Sequence, residues 1–201
     1  SYKPIEHIVL DPGSTDGSRN IARYYRHVTL IEEPDEGQGD AVGTGIEMAK
    51  GDVIAWLNSD ESYYDNDVFK SVATLFDEAD DEIIYGDGIF LSGEGETIRD
   101  VYVNKHPDTL SWRFQQEDGI FQPALFFRRS VPEKIGLPSK YLEYCMDYEY
   151  WIRAMKAGLK FRYVPQKFAK AYFHSDNKTL GQRGKSYQQV CEMLFDQFGY
   201  V

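Results

Sequence analysis

Acidic side chains stand directly after each of four short apolar stretches that are predicted to be strands. They are Asp11 after residues 7–10, Glu32, Glu33 and Asp35 after residues 28–31, Asp60 after residues 53–57, and Asp87 after residues 83–85. At any one position, an acid after a strand is most simply a turn former or a helix cap. Gathered at one edge, however, four sets of carboxylates repel each other unless a cation lies among them. Mg²⁺ and Mn²⁺ are bound by carboxylates together with substrate phosphates, so the pattern predicts a site for a metal-bridged nucleotide diphosphate.

The elements that must position these acids alternate between strands and helices in the first half of the chain. Apolar residues recur at helical spacing in residues 14–25 and 39–49, and again after the capping pair Asp65 and Asn66. This alternation is typical of a parallel sheet, in which ligands bind beyond the carboxyl ends of the strands. We therefore predict an α/β fold with a mostly parallel sheet and flanking helices.

The second half of the chain has a different pattern. Residues 89–91 and 97–103 flank the turn SGEGE as a predicted hairpin. The other predicted elements are a strand over residues 124–128, a helix over 147–157, a strand over 160–164 and an amphipathic helix over 182–198. An α+β portion therefore follows the α/β portion, within one predicted domain spanning residues 1–201.

Composition excludes several classes of function. The formal net charge of -11 over 201 residues disfavours binding to nucleic acid, whose phosphates it would repel. The two cysteines, Cys145 and Cys191, belong to no metal-binding or disulfide motif and are predicted to be thiols in a reducing compartment. The chain contains no apolar run of about 18 residues and no signal-peptide profile at its start.

Five segments together resemble glycosyltransferase family 2, whose members have the GT-A fold. They are DPGSTDGS at residues 11–18, EPDEGQGDAVGTG at 33–45, WLNSDE at 56–61, YGD at 85–87 and QPALFFRR at 122–129. The family begins with a further strand and helix, which do not precede Ser1 in this sequence. The resemblance implies a GT-A-like domain with a nucleotide-sugar-binding half, residues 1–90, and an acceptor-binding half, residues 91–201. It also leads us to expect an exposed sheet edge.

The resemblance implies roles for the donor-side residues. Asp11 would contact the nucleobase, and WLNSDE matches the DxD-type metal motif with Asn58 in place of the first acid. Asp60 is therefore the carboxylate that would hold Mn²⁺ or Mg²⁺, with Glu61 beside it. The residues implied in nucleotide-sugar binding are Asp11, Gly13, Glu33, Asp40, Asn58, Ser59 and Asp60.

Residues 141–153 resemble the helix that carries the family's catalytic base, and the match places that base at Asp147. An inverting transfer needs one carboxylate to take the proton of the acceptor hydroxyl as that hydroxyl attacks the anomeric carbon. The nucleoside diphosphate leaves as a metal-neutralised anion, so no second acid is required. The alternative interpretation is that Asp147 only caps its own helix.

Further residues are implied by the resemblance alone. His174 lies where the family often has a histidine near the diphosphate, and it is the second predicted metal ligand. Trp112, Gln122 and Tyr148 are predicted to shape the acceptor pocket, whereas Trp151 is predicted to belong to the aromatic core.

The leading hypothesis is an inverting glycosyltransferase that moves a sugar from a UDP-sugar or other NDP-sugar to a hydroxyl of a glycan or lipid-linked acceptor. A non-catalytic nucleotide-sugar or carbohydrate binding module is the alternative from another class. A nucleotidyltransferase is a third choice, although the sequence offers no basic Gly-rich phosphate loop. The family implies residence in the cytoplasm, at the inner face of a membrane, and leaves open peripheral membrane association and pairing with a second copy.

Overall fold

The computed structural model describes residues 3–103, 119–173 and 183–199. Within these residues the strands are β1 (His7–Leu10), β2 (Val28–Ile31), β3 (Val53–Ile54), β4 (Glu61–Tyr63), β5 (Ile83–Leu91), β6 (Thr97–Val101), β7 (Leu125–Arg128) and β8 (Phe161–Tyr172). The α-helices are α1 (Ser18–Tyr24), α2 (Gln38–Met48), α3 (Val68–Glu78), α4 (Ser130–Ile135), α5 (Met146–Lys156) and α6 (Arg183–Phe198), and Gln122–Ala124 forms a short 3-10 helix before β7.

The strands form two sheets. One is the parallel pair β1–β2, and the other has the order β3-β7-β5-β8-β4, with β6 paired to β5. The predicted α/β architecture is confirmed, and the larger sheet is mixed, with antiparallel as well as parallel ladders. Of the described ladders, only β1–β2 and β5–β8 are parallel. The reason is that β7, from the second half of the chain, lies antiparallel between β3 and β5, which themselves share one direction.

Strand β5 is the centre of the larger sheet. Its first residues pair with β7, its last residues pair with β6, and β8 runs along its other side. Two separate strands, over residues 83–85 and 89–91, were predicted here, but they form one continuous strand of 9 residues. Asp87 therefore lies inside the strand, buried, and not at the carboxyl edge where it was expected. Its carboxylate accepts hydrogen bonds from Tyr163 Oη and Val103 N, which satisfy the buried charge.

Helices pack closely on this framework where glycines leave room. A Cβ on Gly45 of α2 would lie 3.1 Å from Leu10 Cδ1, so this glycine lets α2 lie tightly against β1. At the start of α2, a Cβ on Gly39 would meet the backbone of Ser139 and Lys140. The first turn of α2 is thereby fixed against the loop that follows α4. In the part of the chain that the structure describes, no helix has both the length and the apolar character needed to cross a bilayer.

Candidate active site

The segment from Asn58 to Glu61, between β3 and β4, forms a closed turn held by its own side chains. Glu61 accepts two hydrogen bonds from Asn58, one from the main-chain N to Oε2 at 2.7 Å and one from Nδ2 to Oε1 at 3.0 Å. In return, Glu61 N donates to the Asn58 carbonyl at 3.2 Å. The position that holds Asn58 is therefore tied to Glu61 through both backbone and side chain. Asp60 is partly buried, and its carbonyl accepts a hydrogen bond from Tyr172 N of β8 at 2.8 Å.

Asp147 lies in the first turn of α5 and is partly exposed. Cys145 occupies the N-cap position of this helix, so Asp147 is not its N-cap residue. The described hydrogen bond to its side chain comes from the adjacent Tyr148 N, which donates to Oδ1 at 2.8 Å. Burial raises the pKa of Asp147, because the charged form is poorly solvated there, and the bond from Tyr148 N only partly opposes this.

The two segments meet at Glu61. Burial of the Glu61 side chain raises its pKa to about 7, and the hydrogen bonds from Asn58 only partly offset that rise. The negative charges of Asp60 and Asp147 each raise the pKa of Glu61 further. Three carboxylates from chain segments more than 80 residues apart therefore share one electrostatic neighbourhood. Such a concentration of negative charge is suited to a ligand that brings positive charge with it.

A stack of aromatic rings lies beneath these carboxylates. Trp56, two residues before Asn58, stacks on Trp151 of α5, with 5.3 Å between ring centroids and 15° between ring planes. Trp151 is almost fully buried, as predicted. Gln122, also buried, donates from Nε2 to the Trp56 carbonyl at 2.9 Å. The stack couples the start of the turn at residues 58–61 to the helix that carries Asp147, because flat aromatic surfaces pack with little freedom.

Asp11, at the end of β1, is engaged by the turn that it opens. Its Oδ1 accepts hydrogen bonds from Ser14 N at 2.8 Å and Gly13 N at 3.2 Å, and Arg19 Nε lies 3.5 Å away. These partners, led by the bond from Ser14 N, lower the pKa of Asp11. Gly13 itself is exposed within the turn.

Two of the acids after β1 and β2, Asp11 and Glu32, are compensated by arginines, which changes the argument for a metal at that edge. Glu32 lies 3.3 Å from Arg19 Nη1 and 2.6 Å from Arg23 Nη2, both on α1. Arg19 thus bridges Asp11 and Glu32. Repulsion between Asp11 and Glu32, which the sequence suggested a cation would relieve, is relieved here by the arginines of helix α1. The carboxyl groups with raised pKa values are those of Glu61, beside Asp60, and Asp147.

The remaining donor-side residues lie around the start of α2. Asp40, in the first turn of α2, accepts a hydrogen bond from Glu36 N at 3.0 Å. Glu33 is exposed after β2 and accepts from Glu32 N at 3.1 Å. Ser59 is exposed beside Asn58. Helix α2 reaches the turn at residues 58–61 through Gln38, whose Nε2 donates to Asn58 Oδ1 at 2.6 Å.

Two predicted site residues, Trp112 and His174, lie outside the described residues. Within the described residues there is no cluster of three or more acidic, histidine or cysteine side chains arranged to hold a metal ion. Asp60 supplies oxygen donors of the kind that Mg²⁺ and Mn²⁺ prefer, and these ions take the rest of their ligands from phosphates and water. The residues present therefore fit a metal that arrives with a diphosphate.

Sequence reasoning missed the roles of Glu61 and Gln38 in this site. Glu61 was noted only as the neighbour of Asp60, and Gln38 only as one letter of the segment EGQGD. The available signal was that an acid follows the NSD triplet directly, where it can turn back on Asn58. The contact between Gln38 and Asn58 spans 20 residues and had no local signal.

The α/β fold with a mixed sheet is that of a GT-A-type domain, as comparisons with solved structures show. The family model for glycosyl transferase family 2 matches residues 1–136. The chain belongs to glycosyltransferase family 2.

Relatives and solved structures give the same picture. The chain is 24% identical to the uncharacterised glycosyltransferase YibD of Escherichia coli over 94% of this chain and 60% of YibD. It is 30% identical to a PGL/p-HBAD biosynthesis glycosyltransferase of Mycobacterium bovis, over 74% of this chain and 57% of that protein. It covers 34% of a Rickettsia felis glycosyltransferase, so the chain spans between a third and about three fifths of these relatives.

Similar folds occur in two proteins whose structures were solved with nucleotide sugars. TarS 1–349 of S. aureus, in complex with UDP-GlcNAc, matches with a TM-score of 0.68 and 16% identity over 94% of this chain and 56% of TarS 1–349. The mannosyltransferase PcManGT of Pyrobaculum calidifontis, in complex with GDP-Man and Mn²⁺, matches with a TM-score of 0.64 and 16% identity over 98% and 55% of the two chains. At this identity the likeness establishes the fold.

Proposed function

We propose that this chain is the catalytic domain of an inverting glycosyltransferase. It would move a sugar from a nucleotide-diphosphate donor, with a UDP-sugar as the first choice, to a hydroxyl of a glycan or lipid-linked acceptor. The observation that carries the proposal is the shared neighbourhood of Asp60, Glu61 and Asp147, in which the charges of both aspartates raise the pKa of Glu61. Perturbed carboxyl groups gathered from distant segments are characteristic of active sites.

Asp147 is the general base in this proposal. It takes the proton of the acceptor hydroxyl while the hydroxyl oxygen forms its bond to the anomeric carbon and the bond to the diphosphate oxygen breaks. A carboxylate with a raised pKa accepts a proton more readily than an ordinary aspartate, which favours this role near neutral pH. The first turn of α5 keeps Asp147 within reach of solvent and of an incoming acceptor.

The donor is bound by the opposite side of the site. Asp11 contacts the nucleobase, and Gly13, Glu33, Asp40, Asn58 and Ser59 line the path of the nucleotide sugar. Asp60 would hold Mn²⁺ or Mg²⁺, with His174 as the second proposed ligand. When bound, such an ion neutralises the developing charge of the departing diphosphate.

The acceptor side is assigned to Gln122, Tyr148 and Trp112. Gln122 donates a hydrogen bond to the Trp56 carbonyl beside the aromatic stack, and Tyr148, which follows Asp147 directly, packs against the smaller cluster that contains Cys145 and Ile152. Aromatic and amide side chains of this kind suit the mixed apolar and hydroxylated surface of a sugar.

Binding and chemistry can be tested separately with two substitutions. UDP should bind in the presence of Mn²⁺, and Asp60→Ala should weaken that binding by at least about tenfold, as expected when a charged ligand is lost. Asp147→Asn should keep UDP binding within about twofold, since the amide is isosteric, yet lower the release of UDP from UDP-sugar by at least about 100-fold, the usual contribution of a general base.

Isothermal titration calorimetry measures the first effect and a coupled UDP-release assay measures the second. Metal-independent binding of UDP would contradict the assignment of Asp60. Tight binding of UDP-sugar with no hydrolysis or transfer by the unsubstituted chain would favour the binding-module alternative. Release of pyrophosphate in place of nucleoside diphosphate would point to a nucleotidyltransferase.

A further inference from the structure

Gln38, Asn58 and Glu61 form a chain of hydrogen bonds with a fixed direction. Gln38 Nε2 donates to Asn58 Oδ1 at 2.6 Å, and Asn58 Nδ2 donates to Glu61 Oε1 at 3.0 Å. The second oxygen of Glu61 accepts from the Asn58 main-chain N at 2.7 Å. The three residues come from α2, from the turn after β3 and from the first position of β4. The chain of bonds therefore connects helix α2 with the predicted metal motif at residues 58–61.

The direction of this chain is set by Glu61. Both carboxyl oxygens of Glu61 accept hydrogen bonds from Asn58, whereas an amide side chain offers a donor end and an acceptor end that can exchange places. Because both Glu61 oxygens act as acceptors in this arrangement, Asn58 turns its NH₂ group toward Glu61 and its oxygen toward Gln38. Gln38 must in turn present its own NH₂ group to Asn58. One carboxylate thus decides the orientation of two neutral amides.

We propose that Glu61 is the positioning residue of a polarised relay, through which it determines which atoms of Asn58 and Gln38 a nucleoside-diphosphate donor meets. This inference rests on the proposed function for the identity of the ligand. It explains why Asn58 replaces the first acid of the metal motif. A carboxylate at position 58 would face the Glu61 carboxylate across about the 3.0 Å that now separates Asn58 Nδ2 from Glu61 Oε1. The acidic side chain that position 58 lacks is present instead at position 61.

The relay defines what Asn58 can offer the donor. One N–H of its NH₂ group is used by Glu61, so one N–H remains, and it suits an oxygen acceptor such as a ribose hydroxyl or a phosphate oxygen. The Asn58 amide oxygen is neutral and already accepts from Gln38, so it is a weaker ligand for a metal ion than the Asp60 carboxylate. Asn58 is therefore a hydrogen-bond donor to the nucleotide, and the cation is left to Asp60.

Exchanging the two polar groups tests the relay. In Glu61→Gln, the new NH₂ group faces the NH₂ group of Asn58, so Asn58 and then Gln38 must both reverse. In Asn58→Asp, two carboxylates face each other. In the double variant Asn58→Asp with Glu61→Gln, the residue-61 amide donates to the residue-58 carboxylate, and Gln38 keeps its original direction.

The measured quantity is the affinity for UDP with Mn²⁺, by isothermal titration calorimetry on the full 201-residue chain. Each single variant should weaken binding about tenfold, the effect of losing one charge-assisted hydrogen bond. Independent effects would multiply to about 100-fold, but the double variant should bind within about threefold of the unsubstituted chain. Glu82→Gln is the matched control, because Glu82 also accepts a main-chain hydrogen bond, from Lys160 N, and lies before the first residue of β5. It should leave UDP affinity unchanged.

A second measurement decides the relay without any nucleotide. The side-chain NH₂ resonances of Asn58, assigned by their absence in Asn58→Asp, should exchange with solvent at least about tenfold more slowly in the unsubstituted chain than in Glu61→Ala, which removes the acceptor. Any of three results would overturn the inference. They are fast exchange of the Asn58 NH₂ group in the unsubstituted chain, a UDP affinity of Glu61→Gln within twofold of the original, and a loss of UDP affinity in the double variant equal to the product of the losses in the two single variants. If the unsubstituted chain did not bind UDP while the Asn58 NH₂ group exchanged slowly, the proposed function would be refuted and the relay would still stand.

Discussion

Replacing Glu61 by glutamine should stabilise the folded chain at neutral pH while it weakens donor binding. The Glu61 carboxyl group has a folded-state pKa of about 7 against an ordinary value of 4.5, mainly because burial disfavours its charged form. A raised pKa in an acid means that the folded state holds the proton more tightly than the unfolded state does. The contribution of Glu61 to stability is therefore lost as the pH rises from about 4.5 to about 7, and the loss levels off above that range.

The size of the effect follows from the shift. Each pKa unit corresponds to about 1.36 kcal/mol, so the difference between 4.5 and about 7 gives roughly 3 kcal/mol, reduced to about 2–3 kcal/mol because the side chain is partly exposed. Glutamine has a similar shape and no charge to desolvate. The Glu61→Gln chain should unfold about 5–10 °C higher than the original at pH 7.5, and at nearly the same temperature at pH 4.5.

Urea and thermal unfolding followed by circular dichroism, in EDTA at pH 4.5 and pH 7.5, would measure these differences. Glu82→Gln provides a control of opposite sign. Burial raises the pKa of Glu82, but bonds from Lys134 and Lys160 outweigh burial and leave it lowered, so this variant should be less stable at pH 7.5. If Glu61→Gln were destabilised at pH 7.5, or stabilised equally at both pH values, the pKa of the Glu61 carboxyl group would not be raised as described above.

Two further outcomes are expected. Gly88→Ala should lower the free energy of unfolding in urea by about 1–3 kcal/mol, because a Cβ there would overlap the Phe121 ring and lie 2.8 Å from the Ala169 carbonyl oxygen. Gly93 has open space around it, so Gly93→Ala should leave the free energy of unfolding unchanged. Equal effects of the two substitutions would refute the packing argument. The rate of sugar transfer should fall on acidification with a midpoint above the ordinary range of an aspartate, since burial raises the pKa of Asp147, and a pH–rate profile with a midpoint near the ordinary aspartate value would contradict this.

The elements of the fold were largely predictable from local pattern. The periodicity of residues 39–49 and 147–157 gave α2 and α5 to within one residue at each end. Strand ends were less predictable, because β3 is only Val53–Ile54 where residues 53–57 were expected. The reason is that a strand ends where its partner ends, and β7 offers Phe127 and Arg128 as the pairing residues for β3.

The segments that form the candidate site were recognisable in the sequence, but their arrangement was not. The motif around Asp60 and the helix around Asp147 were recognisable because each is a short continuous segment whose residues match a known family pattern. The compensation of Asp11 by Arg19 was not, since it depends on the side on which α1 packs. The strand-end acids, equivalent in the sequence, therefore differ in the structure: Asp11 and Glu32 are paired with arginines, whereas Asp87 is buried inside a strand.

The sequence by itself determined most of the helices and strands, and which strands are followed by acidic residues, because hydrogen bonding and side-chain periodicity act over a few neighbouring residues. Only the tertiary structure decided that β7 enters between β3 and β5, and that Glu61 lies within electrostatic range of Asp147. Those relations join residues far apart in the chain. They are fixed by the packing of the whole sheet, which depends on contacts between distant segments and cannot be inferred from any one segment.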